Sequence, residues 1–293
     1  MNKYIIIADS TTDLPNELVS NKDLVILPLG YNINNRSYKN YLDYREQDIS
    51  EFYKLLEQGN LATTTQLNPT DYEKALTPYL EKGYDIILLT LSSKLSGTYN
   101  SARLATLDLK EKYNDRKIIL IDSKSASLGF GYLTMQAVYA KNANKSIDEV
   151  ANLINDLIPK IAHWFTVDDI SHLRRGGRIS AVSSVVAKTL RIKPILHCND
   201  KGELIPRYRA LSRRRSIKAL FDKMVEIGNE NQRLVYIGHG DDLEAANTLA
   251  GYIKNKYKNI EILIHPIGPV IGAHTGKGVL ALFFEAKNRG WKK

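Results

Sequence analysis

Cysteine is almost absent from this 293-residue chain, and its single instance, Cys198, excludes an intramolecular disulfide and a cysteine-rich metal site. Long apolar runs are absent too, since none approaches the roughly 18–20 residues that span a bilayer. The first apolar run, Tyr4–Ala8, ends at Asp9 and is too short for the core of a signal peptide. These absences predict a soluble, cytoplasmic protein.

Several catalytic signatures are also missing. The chain has no G-x-S-x-G nucleophile elbow and no H-E-x-x-H zinc motif, and no G-x-G-x-x-G follows the first apolar run. Gly276-Lys277 is similar to part of a phosphate loop, but Ile271 and Gly278 stand where that loop requires Gly and then Ser or Thr. His239–Asp242 offers metal ligands, although a strand end followed by a capped helix explains it better. We therefore predict no catalytic residue, no metal and no cofactor.

The residues that are present indicate a folded α/β protein. Hydrophobic residues make up 43% and charged residues 25% of the chain, which is typical of a globular protein. Apolar runs at Tyr4–Ala8, Asp85–Thr90 and Lys117–Asp122 alternate with helical segments. Continuous apolar strands of this kind predict a parallel sheet covered on both faces.

The second half of the chain differs from the first. Asn199–Gly202 is a good turn between two strands at 193–197 and 203–208, so we expect a hairpin within a smaller mixed sheet. The sequence thus predicts two α/β domains. The first is a three-layer α/β/α domain over residues 1–158, and the second a smaller two-layer domain with a mixed sheet over residues 159–293.

Local signals place several helix starts and one turn. Asp48 caps a helix that Gly59 stops, Asn68 caps another with Pro69 at its first position, and Ser146 begins a third. Asn34-Asn35 has the composition of a turn in a hairpin.

Small polar residues cluster at four further places. Ser96 and Gly97 begin a long helix at 96–113, where free N–H groups favour an anion, but Ser96 also suits an ordinary N-cap. Thr63–Gln66 is a second hydroxyl cluster or a plain turn. Two strands end in Asp9-Ser10 and Asp122-Ser123, where these side chains either face a ligand or cap the next helix.

His274 is surrounded by glycines. A lone histidine is more often structural than functional, but such dense glycines place its backbone close to another part of the molecule.

The positive charge is concentrated in one segment. Residues 160–218 contain 14 Lys and Arg against 4 Asp and Glu, a net +10 in a chain whose total is +9. This distribution predicts one basic face, which is either a solvated surface or a docking site for an anionic partner or nucleic acid.

Taken in order, seven motifs resemble the DegV family over about residues 3–285: IIIADSTTDLP, TTTQLNPTDY, LSSKLSGTYNSA, IDSKSASLGFG, LRRGGRI, LRIKPIL and IGPVIGAHTGKG. These are bacterial fatty-acid-binding proteins that act as the acyl-carrying subunit of fatty acid kinase. The resemblance implies two α/β domains with a long-chain fatty acid buried in the first and its carboxylate near the domain junction. It also implies a separate kinase that phosphorylates the carboxylate to acyl phosphate for phospholipid synthesis, with transient membrane contact allowed.

The same resemblance assigns roles to individual residues. Thr64 is the carboxylate-binding threonine with Thr65 beside it, Ser96 and Gly97 contribute a hydroxyl and backbone, and His274 orients the hydroxyl network. The basic residue near the head group, or a partner-docking residue, falls on Arg174 or Arg175. Thr65 departs from the usual serine, and Leu67-Asn68 separates Gln66 from the proline that often follows it directly.

The alternative is a nucleic-acid-binding or regulatory protein that uses the basic segment 160–218. Tyr208 is the one aromatic residue close to its arginines, and no helix-turn-helix pattern frames them. We therefore expect no nucleic acid partner. The arginines and the lysine that carry this alternative are Arg207, Arg209, Arg213, Arg214, Arg215 and Lys218.

Overall fold

The computed structural model describes residues 3–20, 24–179 and 192–289. Residues 180–191 carry part of the basic segment and the start of the motif LRIKPIL, so those predictions lie partly outside the described residues. The strands are β1 Tyr4–Asp9, β2 Leu24–Leu27, β3 Gly30–Ile33, β4 Arg36–Lys39, β5 Ala62–Thr65, β6 Asp85–Thr90, β7 Ile118–Asp122, β8 Ile161–Thr166, β9 Lys193–Cys198, β10 Leu204–Ala210, β11 Leu234–His239, β12 Glu261–Pro266 and β13 Leu280–Glu285. The helices are α1 Asn16–Val19, α2 Ile49–Glu57, α3 Pro69–Glu81, α4 Thr98–Lys112, α5 Ser127–Asn142, α6 Ile147–Leu157, α7 Ser171–Arg175, α8 Arg213–Ile227, α9 Leu243–Lys256 and α10 Pro269–Thr275.

The first part of the chain forms the expected parallel sheet, with strand order β2-β1-β6-β7. Every residue of β1 and β6 is buried, because helices or a second sheet cover both faces. Alternate side chains of β1 enter different cores: Ile6 and Ala8 pack with α5 and α6, whereas Ile5 and Ile7 pack with α3 and α4. The three-layer prediction is confirmed.

A small antiparallel sheet, β4-β3-β5, adjoins this unit. Asn34 and Asn35 connect β3 to β4, and both have positive φ (51° and 58°), as the tight hairpin turn requires. Thr63–Gln66, considered above as a turn, contributes instead to β5, whose residues pair with β3 from Ala62 to Thr65.

The predicted helix starts are confirmed at three places. Asp48 accepts hydrogen bonds from the backbone of Ser50 and Glu51 at the start of α2. Asn68 and Ser146 each form a capping box at the starts of α3 and α6.

The second part of the chain forms a mixed sheet with strand order β10-β9-β8-β13-β11-β12. The predicted hairpin joins β9 to β10, and Gly202 in its turn has a φ of +86°. We expected this sheet to be the smaller one, but it has six strands against four, because β13 inserts between β8 and β11. Helices α8 and α9 cover one face of it.

Helix α5 covers the other face and joins the two halves of the molecule. It contacts β1 of the parallel sheet as well as β8, β11 and β13 of the mixed sheet. Gly129 allows the close approach, since a Cβ there would lie 2.2 Å from Nε2 of His163. The boundary near residue 158 falls in the 3-10 turn between α6 and β8, and the division into two domains there stays a prediction.

Candidate functional site

A cavity of about 360 Å³ lies where β5, the start of α4, α7 and α10 meet. Of the residues predicted to hold a head group, Thr64, Thr65, Ser96 and His274 line it. Its other walls are Leu29, Gln66, Leu91, Leu95, Ala126, Leu173, Arg178, Leu204, Val270, Ile271 and Thr275.

Thr64 and His274 meet at this cavity although 210 positions separate them. Thr64 Oγ1 lies 3.0 Å from Nε2 of His274. Pairing of β5 with β3 fixes the direction of Thr64, because successive side chains of a strand point to opposite faces and Thr63 is therefore exposed. His274 lies in the last turn of α10, which packs directly against β5.

The imidazole of His274 is uncharged at neutral pH. Burial, reinforced by the nearby positive charge of Arg178, lowers its pKa from 6.5 to about 4. Gly176, at the end of α7, makes room for the ring, because a Cβ at that position would lie 2.1 Å from Nδ1. The ring thus offers a hydrogen bond to the cavity and no charge.

Ser96 lines the cavity just before α4, whereas Gly97, another residue predicted to hold the head group, does not line it. Ser96 Oγ accepts a hydrogen bond from the Thr98 backbone N–H at 3.2 Å and lies 2.8 Å from Thr98 Oγ1. Helix α4 begins at Thr98 with Gly97 as its N-cap, so Ser96 is not the N-cap of this helix. A Cβ at Gly97 would lie 2.4 Å from Oε1 of Gln66. Gln66 Nε2 in turn donates to Ser101 Oγ at 3.2 Å, which holds the end of β5 against α4.

Thr65 occupies the rim of the cavity. Its side chain is exposed and lies over Gly30, where a Cβ would come within 2.2 Å of Thr65 Oγ1.

The basic residue at the cavity is Arg178, which sequence reasoning missed. Arg174 and Arg175 are exposed and do not line the cavity, and Arg175 bonds to Ser171 and His172 on its own helix. Arg178 is half-buried, and burial lowers the pKa of its guanidinium. A signal for it was present in the motif LRRGGRI, whose third arginine follows the turn at Gly176 and Gly177.

A second, apolar chamber of about 50 Å³ lies beside the cavity. The two share Ala126, Leu204, Ile271 and Thr275 as walls. Beyond these the chamber is lined mainly by Phe165, Phe283 and other apolar side chains. Residues from both sides of position 158 form these walls, whereas the resemblance implied burial within the first domain alone.

The two aspartates that end β1 and β7 do not line the cavity. Asp9 accepts hydrogen bonds from the backbone of Thr11 and Leu91, and Asp122 accepts from Ser93 and Lys124. Both therefore brace the loops at the carboxyl edge of the sheet, which favours the structural interpretation.

Two kinds of feature are absent from the residues that the structure describes. No helix there is long and apolar enough to cross a membrane. No group of three or more His, Cys, Asp or Glu side chains there is arranged to hold a metal ion. His239–Asp242 has the structural role expected for it, with Asp242 capping α9.

Comparison with known proteins agrees with the motifs. The family model described as "Uncharacterised protein, DegV family" matches residues 3–287. The chain belongs to the DegV family. A DegV domain-containing protein of Clostridium perfringens is 42% identical over 285 residues, which is 97% of this chain and 98% of that protein.

Solved structures of DegV proteins share the fold. A Thermotoga maritima protein described as revealing fatty acid binding function is 28% identical, with a TM-score of 0.83 and coverage of 98% of this chain and 100% of that one. The Streptococcus pneumoniae Fatty Acid Kinase (Fak) B3 protein, loaded with linoleic acid, is 23% identical, with a TM-score of 0.85 and coverage of 97% and 100%. At that identity the second likeness concerns the fold alone.

Proposed function

We propose that this protein binds a long-chain fatty acid with its carboxylate between Thr64, Ser96 and His274. The observation that carries the proposal is the Thr64–His274 pair, 3.0 Å apart, in a cavity that shares four wall residues with an apolar chamber. A polar mouth followed by an apolar end suits a molecule with one charged head and a hydrocarbon tail. The fatty acid binding described for the Thermotoga maritima relative supports it.

The hydroxyls act as donors to the carboxylate in this proposal. Neutral His274 donates its Nε2–H to Thr64 Oγ1, which leaves the Thr64 O–H free to donate to a carboxylate oxygen. When Thr98 Oγ1 is the donor to Ser96 Oγ, the Ser96 O–H is likewise free to donate. Arg178 supplies the positive charge that offsets the buried anion.

In this proposal, burial of the hydrocarbon tail provides most of the binding affinity. The hydrogen bonds to the head group fix the position of the carboxylate. Burial contributes roughly 0.8 kcal/mol per CH₂, so about 14 methylenes contribute a gross ~11 kcal/mol before the cost of association. A hydrogen bond to a charged group contributes only about 1.5–3 kcal/mol.

We further propose that the protein is a non-catalytic subunit that presents the carboxylate to a partner kinase in the cytoplasm. The kinase phosphorylates the carboxylate to an acyl phosphate. The resemblance of the seven motifs to the acyl-carrying subunits of fatty acid kinase supports this role, as does the absence of a catalytic signature from the sequence.

Extraction of the purified protein tests the binding proposal. The protein is denatured, extracted with organic solvent and analysed by mass spectrometry, and we expect a long-chain fatty acid near one per chain. A native preparation that contains none, and takes none up when it is offered, contradicts the proposal.

Variants of the head-group residues test the presentation proposal. Thr64→Val and Ser96→Ala each remove a donor while the tail stays buried, so kinase-coupled turnover should fall more than fatty acid occupancy. Thr63→Val makes the same chemical change on the exposed face of β5 and should leave both unchanged. Wild-type turnover in the Ser96→Ala variant would show that this site assignment is wrong.

A further inference from the structure

Two aromatic side chains of α2 lie between the sheet that carries Thr64 and the helix that carries His274. Phe52 and Tyr53 are fully buried, and their rings meet edge to face with centroids 5.2 Å apart. Neither side chain lines the cavity, and the proposed function uses neither of them. Helix α10 packs against α2 as well as against β3 and β5, so these rings are placed to influence both members of the Thr64–His274 pair.

Phe52 contacts the sheet side of the pair. Its ring meets that of Tyr31 in β3 edge to face, with centroids 5.6 Å apart and planes at 84°. Tyr31 is the direct cross-strand partner of Thr64 in β5, so the two side chains lie on the same face of the small sheet. Helix α2 therefore packs on the sheet face from which Thr64 reaches the cavity.

Tyr53 contacts the helix side of the pair. Its hydroxyl donates to the carbonyl oxygen of Ile267 at 2.7 Å, two residues before α10 begins at Pro269. Burial raises the pKa of Tyr53 well above 10, so the hydroxyl keeps its proton and remains a donor. The N–H of Ile267 donates to the His239 carbonyl at 2.8 Å. Both backbone groups of Ile267 are thus held by hydrogen bonds just before the helix.

Two glycines allow Tyr53 to approach this closely. A Cβ at Gly272, in the middle of α10, would lie 2.8 Å from Tyr53 Oη, and a Cβ at Gly240 would lie 3.1 Å from Tyr53 Cε1. Helix α10 has only seven residues, and a helix that short depends on tertiary packing. Its contacts with α2 therefore help to determine where His274, in its last turn, is held.

We propose that Tyr53 is a positioning residue for the head-group site: its hydroxyl holds the start of α10 so that His274, near the other end, stays 3.0 Å from Thr64. The inference rests on the proposed function, because it concerns the residues that hold the carboxylate. The effect of Tyr53 on binding passes through His274 and Thr64. This distinguishes Tyr53 from a residue that only stabilises the fold.

A double-mutant cycle with hexadecanoic acid tests this inference. Tyr53→Phe keeps the ring and removes the hydroxyl, so the affinity measured by titration calorimetry should fall roughly three- to tenfold. In a Thr64→Val background the same substitution should have almost no effect, because His274 then has no hydroxyl to orient. Tyr4→Phe is the matched control, since Tyr4 also donates to a distant backbone carbonyl at 2.7 Å, that of Lys145, but at the amino end of β1. This variant should bind like the wild-type protein.

The nitrogen NMR spectrum of the histidine side chains gives a second measurement that needs no ligand. The Nε2 resonance of His274 reports its hydrogen bond to Thr64. Tyr53→Phe should shift this resonance toward its position in Thr64→Val, whereas Tyr4→Phe should leave it unchanged.

Three results overturn the inference: wild-type affinity in Tyr53→Phe, an equal loss of affinity in the wild-type and Thr64→Val backgrounds, or an unchanged His274 resonance in Tyr53→Phe. If the wild-type protein takes up no fatty acid, the proposed function fails. In that case the His274 resonance still decides whether Tyr53 positions this histidine.

Discussion

At the scale of single residues, the positive charge at the cavity comes from Arg178. The guanidinium remains charged at neutral pH, because an arginine is not deprotonated in a protein even where burial lowers its pKa. Its neighbours in sequence, Arg174 and Arg175, belong to the exposed end of α7. Three arginines within five positions thus occupy two different environments.

Replacement of this arginine should discriminate between an acid and an alcohol. Arg178→Gln removes the charge that offsets a carboxylate, so affinity for hexadecanoic acid should fall roughly 10- to 100-fold, as expected for about 1.5–3 kcal/mol. Affinity for hexadecanol, which has no charge, should change little. Titration calorimetry with both ligands measures the difference.

Arg174→Gln makes the same substitution on an exposed side chain and serves as the control. We expect it to bind both ligands like the wild-type protein. An equal loss for acid and alcohol in Arg178→Gln would mean that the side chain contributes packing rather than charge.

At the scale of elements, the site depends on how closely α7 approaches α10. Gly176 has a helical backbone conformation, so alanine fits its φ and ψ without strain. Its Cβ would nevertheless lie 2.1 Å from Nδ1 of His274, and one of the two must move. Steric displacement of His274 can therefore be tested without changing its chemistry.

Gly176→Ala should move His274 away from Thr64 and weaken binding of a fatty acid at least tenfold, as expected for the loss of a hydrogen bond to a charged group. Gly251→Ala in α9 is the control, since nothing lies within 4 Å of its added Cβ. That variant should bind normally and be more stable by about 0.5–1 kcal/mol, because alanine has the higher helix propensity. Normal binding by Gly176→Ala would show that α7 moves instead of the ring, or that the position of His274 does not affect binding.

Elements with local signals could be predicted from the sequence, and elements fixed by distant contacts could not. Asn68 with Pro69 and Ser146 mark helix starts because capping involves only neighbouring residues. Helix α5 has no polar face, since sheets cover two sides of it, and so no helical period appears. Strand β5 is short and rich in threonine, and only its pairing with β3 makes it a strand.

The residues of the candidate site also fall into a group that could be predicted from the sequence and a group that could not. Thr64, Ser96 and His274 lie in motifs that the family resemblance singles out, and the structure brings them to one cavity. The walls of the apolar chamber come from β8, α10, β13 and other separate elements, so no sequence period connects them.

At the scale of the whole molecule, the basic segment 160–218 is not one uniform face. Arg213 is ion-paired with Asp242 at 2.6 Å and with Asp168 at 3.7 Å, and Lys193 is paired with Asp168 at 2.9 Å. Arg207 donates to Nε2 of His197. We therefore expect the residues that dock an acidic partner to be exposed ones, such as Arg214 and Arg215 at the start of α8.

Reversal of these two charges should slow association with an acidic kinase surface. Arg214→Glu with Arg215→Glu should lower kinase-coupled turnover while the bound fatty acid stays in place, and the loss should be largest at low salt, where charge attraction is least screened. Lys254→Glu with Lys256→Glu makes the same change in net charge on α9 and should have little effect. Arg213 is left intact, because its reversal would place a third acid beside Asp168 and Asp242.

Nucleic acid binding, the alternative for this segment, predicts another pattern. The wild-type protein would shift DNA or RNA in a gel, with a steep logarithmic dependence on salt, and the double arginine variant would not. Unchanged kinase coupling in that variant together with such a shift would favour the alternative.

Buried titratable groups make the stability of the folded protein depend on pH. Burial lowers the pKa of all six histidines, with His197 and His274 at about 4. As the pH falls below 6.5, the unfolded chain takes up protons that the folded protein does not, so stability is lost between about pH 6.5 and 4. Asp13 has the opposite effect, because burial raises its pKa from 3.8 to about 8.

Between pH 3.8 and about 8, folded Asp13 holds a proton that the unfolded chain has released, so its contribution to stability falls by about 1.4 kcal/mol per pH unit as the pH rises. Above pH 6.5 the histidines no longer oppose this effect. The free energy of unfolding, measured by urea denaturation, should therefore be greatest near pH 6.5 and decline toward pH 8. Asp13→Asn should abolish the decline, because an amide does not titrate but still accepts the hydrogen bond from Ser127. Asp148→Asn changes an exposed carboxylate and is the control, so this variant should still lose stability between pH 6.5 and 8. A decline of wild-type size in Asp13→Asn would show that another group causes the loss of stability.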